Sequence, residues 1–259
     1  MSVLDTIIAG VREDLAARQA SLPRAQIEKA AMDAAPPLEV MHRFKAPELA
    51  VIAEVKRRSP SKGDLASIAD PASLAAKYAS GGAAAISVLT EPRRFSGSLA
   101  DLDAVRAKVS VPVLRKDFMV DEYQFFEARA HGADMVLLIV AALDDAELTR
   151  FLDLARELGM TPLVETHTAE EVDRALAAGS ELIGVNNRNL KTLDVDLATF
   201  GKLSERIGDD AVKVAESGIL SPADAHRVAG EGADVILVGE ALVRHADPSE
   251  AIMQMMDWS

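Results

Sequence analysis

The chain has 259 residues, 49% of them hydrophobic and 27% charged, a balance that indicates a folded globular protein and excludes a disordered or fibrous one. Its formal net charge of −13 argues against nucleic acid or anionic membranes as partners, because proteins that bind them normally carry a basic surface. The chain has no cysteine, which excludes disulfides, thiolate chemistry and Cys-ligated zinc.

The amino-terminal stretch carries Asp5, Arg12, Glu13 and Asp14 at positions where a secretory signal would need a long apolar stretch. The longest apolar run elsewhere, residues 135–143, is far shorter than the ~20 residues that a membrane-spanning helix requires. We therefore expect a cytoplasmic protein.

Residues 1–47 are predicted to form an N-terminal helical extension. Apolar residues recur at helical spacing from Leu4 to Leu15, and a second helical piece lies within residues 22–40. No Gly/Ser-rich linker follows, so we expect the extension to pack on the rest of the chain. Two positions for it are open, one across the bottom of a barrel and one partly covering its top.

Residues 48–259 alternate short aliphatic runs with amphipathic helical segments that end at glycine. Two units, "HGADMVLLI" and "EGADVILVG", are near copies, which indicates an internally repeated unit. Near-continuous apolar strands between helices indicate a parallel sheet covered by helices. We predict a single (β/α)8 TIM barrel rather than a doubly wound open sheet, which usually has fewer strands. The eight runs are residues 49–55, 83–89, 111–116, 134–140, 161–165, 181–186, 211–216 and 234–239.

Polar and charged side chains collect at the carboxyl ends of these predicted strands. In such a barrel those ends meet at one mouth, where the chemistry of the fold takes place. An ionised group beside a barrel core is costly unless it is paired. A ring of ion pairs that only caps the core is the alternative explanation. The residues concerned are Glu54, Lys56, Lys116, Glu165, Asn186, Arg188, Glu216, Ser217 and Gly239.

Two features of the loops predict an anion site at the mouth. Four cations follow the first strand within nine positions, namely Lys56, Arg57, Arg58 and Lys62, and supply local positive potential. The loops after the seventh and eighth strands, residues 216–219 and 238–242, bring glycines and backbone N–H groups to the place where such barrels commonly bind phosphate. The alternatives are that these loops are plain helix-entry turns and that Arg57 or Arg58 only solvates its loop.

Lys116 and Glu165 form a plausible acid–base pair, since one follows the third strand and the other the fifth. We expect neighbouring cations such as Lys56 to lower the pKa of Lys116. His167 follows Glu165 by two positions and is expected to have a structural role beside the site. Thr168 and Glu171 have the spacing of a capping box.

Seven segments, one for each strand except the fourth, resemble the indole-3-glycerol-phosphate synthase family. They occur in the family's order and cover nearly the whole chain, and "EVKRRSPS" together with "LRKDF" is highly specific. The segments are "IAEVKRRSPSKG" (52–63), "SVLTEPRRFSGS" (87–98), "LRKDFMVDEYQ" (114–124), "LVETH" (163–167), "IGVNNRNL" (183–190), "AESGI" (215–219) and "VGEALVR" (238–244).

The resemblance implies a carboxy-lyase, that is, a decarboxylase of tryptophan and hence aromatic amino-acid biosynthesis. It implies conversion of 1-(2-carboxyphenylamino)-1-deoxyribulose 5-phosphate to indole-3-glycerol phosphate with loss of carbon dioxide and water. Lys116 would protonate the ribulose carbonyl oxygen and Glu165 would assist proton removal. Lys56 would face the anthranilate carboxylate, Glu54 would orient the lysines, and Asn186 would bind substrate oxygens.

The resemblance assigns nine further residues to substrate binding. Arg188 would bind the substrate carboxylate, two aromatic rings would face the anthranilate ring, and the loop residues would hold the phosphate. Position 240 is Glu where some members have Ser, which is harmless if only its backbone N–H meets the phosphate. The nine residues are Arg188, Ser59, Phe95, Phe118, Glu216, Ser217, Gly218, Gly239 and Glu240.

No cofactor or metal is implied, because the chain has no G-x-G-x-x-G run, no Walker sequence and no His-Glu cluster at metal spacing. The expected partner is the small phosphorylated substrate, with neither nucleic acid nor membrane. The oligomeric state is left open, with a monomer favoured.

Two rival functions share some of these features. A sugar-phosphate isomerase on the same barrel would have the glycine loops, but it would have no need for Lys56, Lys116 and Arg188 opposite an aryl carboxylate. A non-catalytic barrel that binds a phosphorylated metabolite would have no need for Lys116 together with Glu165.

Overall fold

In the computed structural model, which describes residues 3–190 and 192–257, eight parallel strands close into a barrel. The first strand pairs with the last, with Ala50 opposite Val235 and Ala53 opposite Val238, so the sheet has no free edge. The predicted (β/α)8 barrel is confirmed and the open-sheet alternative is wrong. The strands are β1 Ala50–Val55, β2 Ala85–Leu89, β3 Val113–Lys116, β4 Met135–Ile139, β5 Thr161–Thr166, β6 Leu182–Asn186, β7 Val212–Glu216 and β8 Val235–Val238.

Helices precede the barrel and follow its strands, as the alternating sequence pattern predicts. A two-stranded antiparallel hairpin, Arg58–Ser59 with Gly63–Asp64, interrupts the loop after β1, and a short 3-10 turn, Val140–Ala142, follows β4. The α-helices are α1 Val3–Ser21, α2 Arg24–Asp33, α3 Met41–Phe44, α4 Pro71–Ser80, α5 Pro92–Phe95, α6 Leu99–Lys108, α7 Tyr123–Ala130, α8 Asp145–Glu157, α9 Ala169–Ala177, α10 Ala198–Ile207, α11 Pro222–Gly230, α12 Glu240–Arg244 and α13 Pro248–Met256.

Alternation along each strand separates two apolar layers and directs the polar strand ends inward. In β1, Val51 and Val55 pack between the sheet and the helices, whereas Ala50 and Ile52 belong to the apolar cluster inside the barrel. Successive side chains of a strand point to opposite faces. Glu54 therefore points into the barrel at the carboxyl end of β1, where it is buried.

The near-repeated segments of the sequence have the same local structure on opposite sides of the barrel. Asp134, before β4, accepts a hydrogen bond from the backbone N–H of Val113 at 2.8 Å. Asp234, before β8, accepts one from the N–H of Lys213, also at 2.8 Å. In both segments the glycine two positions earlier has a positive φ, a conformation that glycine adopts without steric strain. The sequence repeat therefore corresponds to the same glycine turn and the same aspartate hydrogen bond before two strands.

The N-terminal extension runs from the mouth of the barrel to its bottom. Leu4 and Ile7 of α1 line the pocket at the mouth, and Ile27 of α2 packs with Tyr123 of α7 on the outside. The backbone N–H of Leu38 donates to Asp134 at the bottom, at 2.7 Å. The start of the extension therefore lies at the mouth of the barrel and its later part at the bottom. Both positions that the sequence left open are occupied. The domain boundary at residue 47 stays a prediction, and positions 1, 2, 258 and 259 lie outside the described residues.

Among the residues that the structure describes, no helix combines the length and the apolar character needed to cross a membrane.

Candidate active site

All fourteen residues predicted for the site line one pocket at the carboxyl ends of the strands. Residues from the ends of β1, β3, β5, β6, β7 and β8 meet there because parallel strands of a closed barrel end on one rim. The fourteen are Glu54, Lys56, Ser59, Phe95, Lys116, Phe118, Glu165, Asn186, Arg188, Glu216, Ser217, Gly218, Gly239 and Glu240.

Lys116 lies among three buried carboxylates. Its Nζ is 3.5 Å from Glu165 Oε2, 3.5 Å from Glu216 Oε2 and 4.0 Å from Glu54 Oε2. Burial disfavours the charged ammonium, but these three carboxylates outweigh it and raise the pKa of Lys116. The expectation that Lys56 lowers this pKa is therefore wrong. Lys116 is therefore a charged ammonium at neutral pH.

Glu165 is in contact with polar groups from three parts of the chain. Its Oε1 accepts from Asn186 Nδ2 at 3.0 Å and lies 3.2 Å from His167 Nε2, while its Oε2 faces Lys116. Burial favours the neutral acid, but Lys116 and His167 outweigh it and hold the pKa of Glu165 well below its usual range. Glu165 is therefore an ionised carboxylate, able to accept a proton.

Glu216, on the neighbouring strand, is held in the opposite protonation state. Burial and the nearby charge of Glu165 raise its pKa from 4.5 to about 8. The side chain lies across Gly184 of β6, where a Cβ would come within 2.2 Å of Glu216 Oε1. Glycine at 184 therefore makes the room that Glu216 occupies. Below pH 8 the site contains a carboxylic acid next to a carboxylate.

Glu54 and Lys56 form an ion pair at the end of β1. Burial opposes ionisation of Glu54, but the charges of Lys56 and Lys116 outweigh it and lower the pKa of the carboxyl. A Cβ at Gly239 would lie 2.6 Å from Glu54 Oε1 and 3.1 Å from Lys56 Nζ. Gly239 thus lets the loop after β8 approach this pair closely.

The cations after β1 do not act as one cluster, and the alternative stated for Arg57 and Arg58 holds for Arg58. Lys56 lines the pocket, but Arg57 turns away and binds Asp101 at 2.6 and 3.0 Å. The Arg57 Nε also donates to a carbonyl of its own loop, that of residue 68, at 3.0 Å. Arg58 is half exposed and lies 3.6 Å from Asp64 of the hairpin. Arg57 anchors the loop and Arg58 solvates it, so the local positive potential comes from fewer groups than predicted.

The carboxylate of Glu240 is paired with cations at the rim. Its Oε1 lies 3.0 Å from Arg244 Nη1 and 3.6 Å from Lys62 Nζ. The backbone of Glu240 begins α12 directly after Gly239. Two neighbouring cations thus compensate the negative charge at this position.

Aromatic and aliphatic side chains form the apolar wall of the pocket. The rings of Phe95 and Phe118 lie 6.1 Å apart at an interplanar angle of 40°. Leu4 and Ile7 of α1 and Leu190 of the loop after β6 also line the pocket, and the sequence pattern did not predict this. The helical period of α1 predicted a buried face, but nothing in that period indicated that the face covers the mouth.

His167 takes a larger part in the site than the sequence indicated. Its Nδ1 is 3.1 Å from Glu171 Oε2, and its backbone N–H donates to the same oxygen at 2.7 Å. Thr168 Oγ1 accepts from the N–H of Glu171 at 3.2 Å, as a capping box requires. The reciprocal bond goes to His167 instead of Thr168, so the predicted capping box is only half formed.

The family model and the similar proteins carry the same description over nearly the whole chain. The family model described as "Indole-3-glycerol phosphate synthase" matches residues 4–255. The protein of that name from Nocardioides sp. is 62% identical over 98% of this chain and 98% of its own, and that from Saccharopolyspora erythraea is 59% identical over 99% and 95%.

Two solved structures share the fold at low sequence identity. A 3-hexulose-6-phosphate synthase has a TM-score of 0.63 at 20% identity, covering 81% of this chain and 98% of that protein. A thiamine phosphate pyrophosphorylase from Pyrococcus furiosus has a TM-score of 0.61 at 18% identity, covering 83% and 95%. At this identity the likeness concerns the barrel alone.

Proposed function

The chain belongs to the indole-3-glycerol phosphate synthase family, and from that membership we propose that it closes the indole ring of its product. It is a carboxy-lyase that acts in tryptophan biosynthesis. The reaction converts 1-(2-carboxyphenylamino)-1-deoxyribulose 5-phosphate to indole-3-glycerol phosphate, carbon dioxide and water. The observation that carries the assignment of roles is the meeting of Lys116 and Glu165, from separate strands, at 3.5 Å in one pocket.

Lys116 supplies positive charge where the reaction develops negative charge. As the aromatic carbon attacks the ribulose carbonyl, electrons move onto the carbonyl oxygen, and the ammonium stabilises and protonates that oxygen. The ionised carboxylates of Glu54 and Glu165 beside Lys116 keep the ammonium charged. The carboxylate on the attacking ring carbon then leaves as carbon dioxide, and its bonding electrons restore the aromatic ring.

Glu165 accepts a proton during the dehydration that completes the indole. Its low pKa keeps it ionised, and Asn186 fixes the oxygen that does not face Lys116. The hydroxyl group formed from the carbonyl oxygen leaves as water once it is protonated, while the base removes the proton that allows the new double bond to form. Loss of one carbon dioxide and one water balances the reaction.

The rest of the pocket binds the parts of the substrate that do not react. We assign Lys56, oriented by Glu54, and Arg188 to the anthranilate carboxylate. Phe95 and Phe118 supply apolar faces for the anthranilate ring. The phosphate is assigned to Ser59 and to the loops after β7 and β8, namely Ser217, Gly218, Gly239 and the Glu240 amide.

One experiment tests both the reaction and the role of Lys116. Purified protein is mixed with the carboxyphenylamino ribulose phosphate and the rise of indole fluorescence is followed. We expect product from wild type, at least about a hundredfold less from Lys116→Met, and the wild-type rate from Lys45→Met, an exposed lysine before the barrel. No product from folded wild type would refute the reaction, and an active Lys116→Met would refute the role.

Neither rival function is supported by the family match over nearly the whole chain. The phosphorylated substrate as partner is part of the present proposal. A cytoplasmic location, a monomeric state and the lack of a cofactor stay predictions from the sequence.

A further inference from the structure

His167 lies between two carboxylates on the side of Glu165 that is turned away from Lys116. Its Nε2 is 3.2 Å from Glu165 Oε1 and its Nδ1 is 3.1 Å from Glu171 Oε2. The ring is nearly buried, whereas Glu171, in the first turn of α9, is partly exposed. The imidazole is therefore a fixed bridge between the buried base and the edge of the site.

The geometry determines the charge of this ring. An ionised carboxylate offers only acceptors, and a neutral imidazole has one donor nitrogen and one acceptor nitrogen. Nδ1 is hydrogen-bonded to Glu171 and Nε2 lies 3.2 Å from a Glu165 oxygen, so a carboxylate faces each nitrogen and the arrangement favours an imidazolium. Burial opposes this charge, but the two carboxylates outweigh it and raise the pKa of His167 to about 10.

Groups of both charges face Glu165 from the other strands. Lys116 of β3 is the cation on one side, while Glu216 of β7 and Glu54 of β1 are acidic groups that disfavour its ionisation. Asn186 of β6 donates a hydrogen bond but carries no charge. Once Lys116 has donated its proton to a substrate oxygen, it is neutral. His167 is then the cation that remains in contact with Glu165.

We propose that His167 is a positioning residue that keeps Glu165 ionised and oriented as the base of the reaction, and that Glu171 holds the imidazolium in place. The proposal rests on the role given to Glu165 in the proposed function. It assigns a catalytic consequence to the unusual helix start of α9, where Glu171 bonds to His167 rather than to the N-cap residue.

The test is the dependence of kcat/KM on pH in wild type and in His167→Asn. A charged neighbour at this distance lowers a carboxyl pKa by about one unit or more, so its loss should move the acidic limb of the profile to higher pH by about that amount. At pH values below the acidic limbs of both proteins, kcat/KM of the variant should be about tenfold lower than that of wild type. At high pH the two values of kcat/KM should converge. KM should change little, because His167 touches Glu165 and not the binding groups.

Matched variants separate positioning from damage to the helix. Thr168→Ala removes the hydroxyl that caps the same helix start and leaves the imidazole in place, so its profile should match wild type. Glu171→Gln leaves the ring in place and removes one of the two carboxylates that keep it charged, so the pKa of His167, followed by its 15N ring shifts, should fall. If His167→Asn fails to fold, the pH profile of His167→Gln, which also lacks the charge, is measured in its place.

The charge of the ring can be measured without any variant. In a sample with 15N-labelled histidine, the ring nitrogens of His167 should give imidazolium shifts at pH 8, where an ordinary histidine is neutral. A neutral ring at pH 8, or a His167→Asn profile superimposed on that of wild type, would overturn the inference. An inactive wild type with an imidazolium at 167 would instead refute the proposed function and leave the charge assignment standing.

Discussion

Glu216→Gln is expected to stabilise the protein above neutral pH and to leave its stability unchanged in acid. Glu216 is buried between Lys116 and Glu165, and burial followed by the charge of Glu165 raises its pKa from 4.5 to about 8. Glutamine has the shape of the protonated acid and can donate to Glu165 in the same way. The substitution therefore removes one titrating group and leaves the packing of the site nearly unchanged.

The sign and size of the effect follow from the two pKa values. A carboxyl whose folded pKa exceeds its unfolded pKa contributes stability that is fully present below the unfolded value and is lost as pH rises to the folded value. For Glu216 that window runs from 4.5 to about 8. At about 1.4 kcal/mol per pH unit, the loss is at most roughly 5 kcal/mol, and coupling to Glu165 reduces it. Glutamine does not titrate and avoids this loss.

Urea unfolding of both proteins at several values between pH 4 and pH 9 measures the difference. The free energies of unfolding should agree at pH 4, diverge through the window in favour of Glu216→Gln, and stay a constant few kcal/mol apart above pH 8. Comparing the two proteins at each pH cancels every other titrating group. A difference that does not change with pH would refute the raised pKa and, with it, the neutral acid beside Glu165.

Two further substitutions test the packing of the site and of the barrel bottom. Gly239→Ala places a methyl group 2.6 Å from Glu54 Oε1, so we expect kcat/KM to fall roughly a hundredfold with unchanged circular dichroism; normal activity would show that the pair is not needed in this geometry. Phe44→Ala opens a cavity at a fully buried position before β1 and should reduce the free energy of unfolding by about 3–5 kcal/mol in urea titrations, whereas Met32→Ala, 74% exposed, should stay within about 0.5 kcal/mol.

The positions of the site residues could be predicted from the sequence because the rules behind them are local. Strand period, the glycines that end helices and the position of polar residues at strand ends each depend on a few neighbouring residues. In a closed parallel barrel, those ends must meet at one rim. For this reason Lys116 and Glu165, 49 positions apart, could be placed together, and the structure has them 3.5 Å apart.

The charge states of the same residues could not be predicted from the sequence. The sequence predicted that cations such as Lys56 lower the pKa of Lys116. In the structure Lys116 lies beside glutamates from three other strands, and its pKa rises instead. Arg57 stands in the same cationic run and is bound to Asp101, far along the chain. A pKa depends on every charge within a few ångströms and on burial, and neither is a local property of the sequence.

The sequence by itself thus determined the architecture and the rim at which the polar strand-end residues meet. The tertiary structure alone decided which groups are charged, that α1 covers the mouth with Leu4 and Ile7, and that His167 bridges Glu165 and Glu171. The physical reason is range: backbone period and turn preference act between near neighbours, whereas electrostatic energy depends on contacts that form only when distant segments fold together.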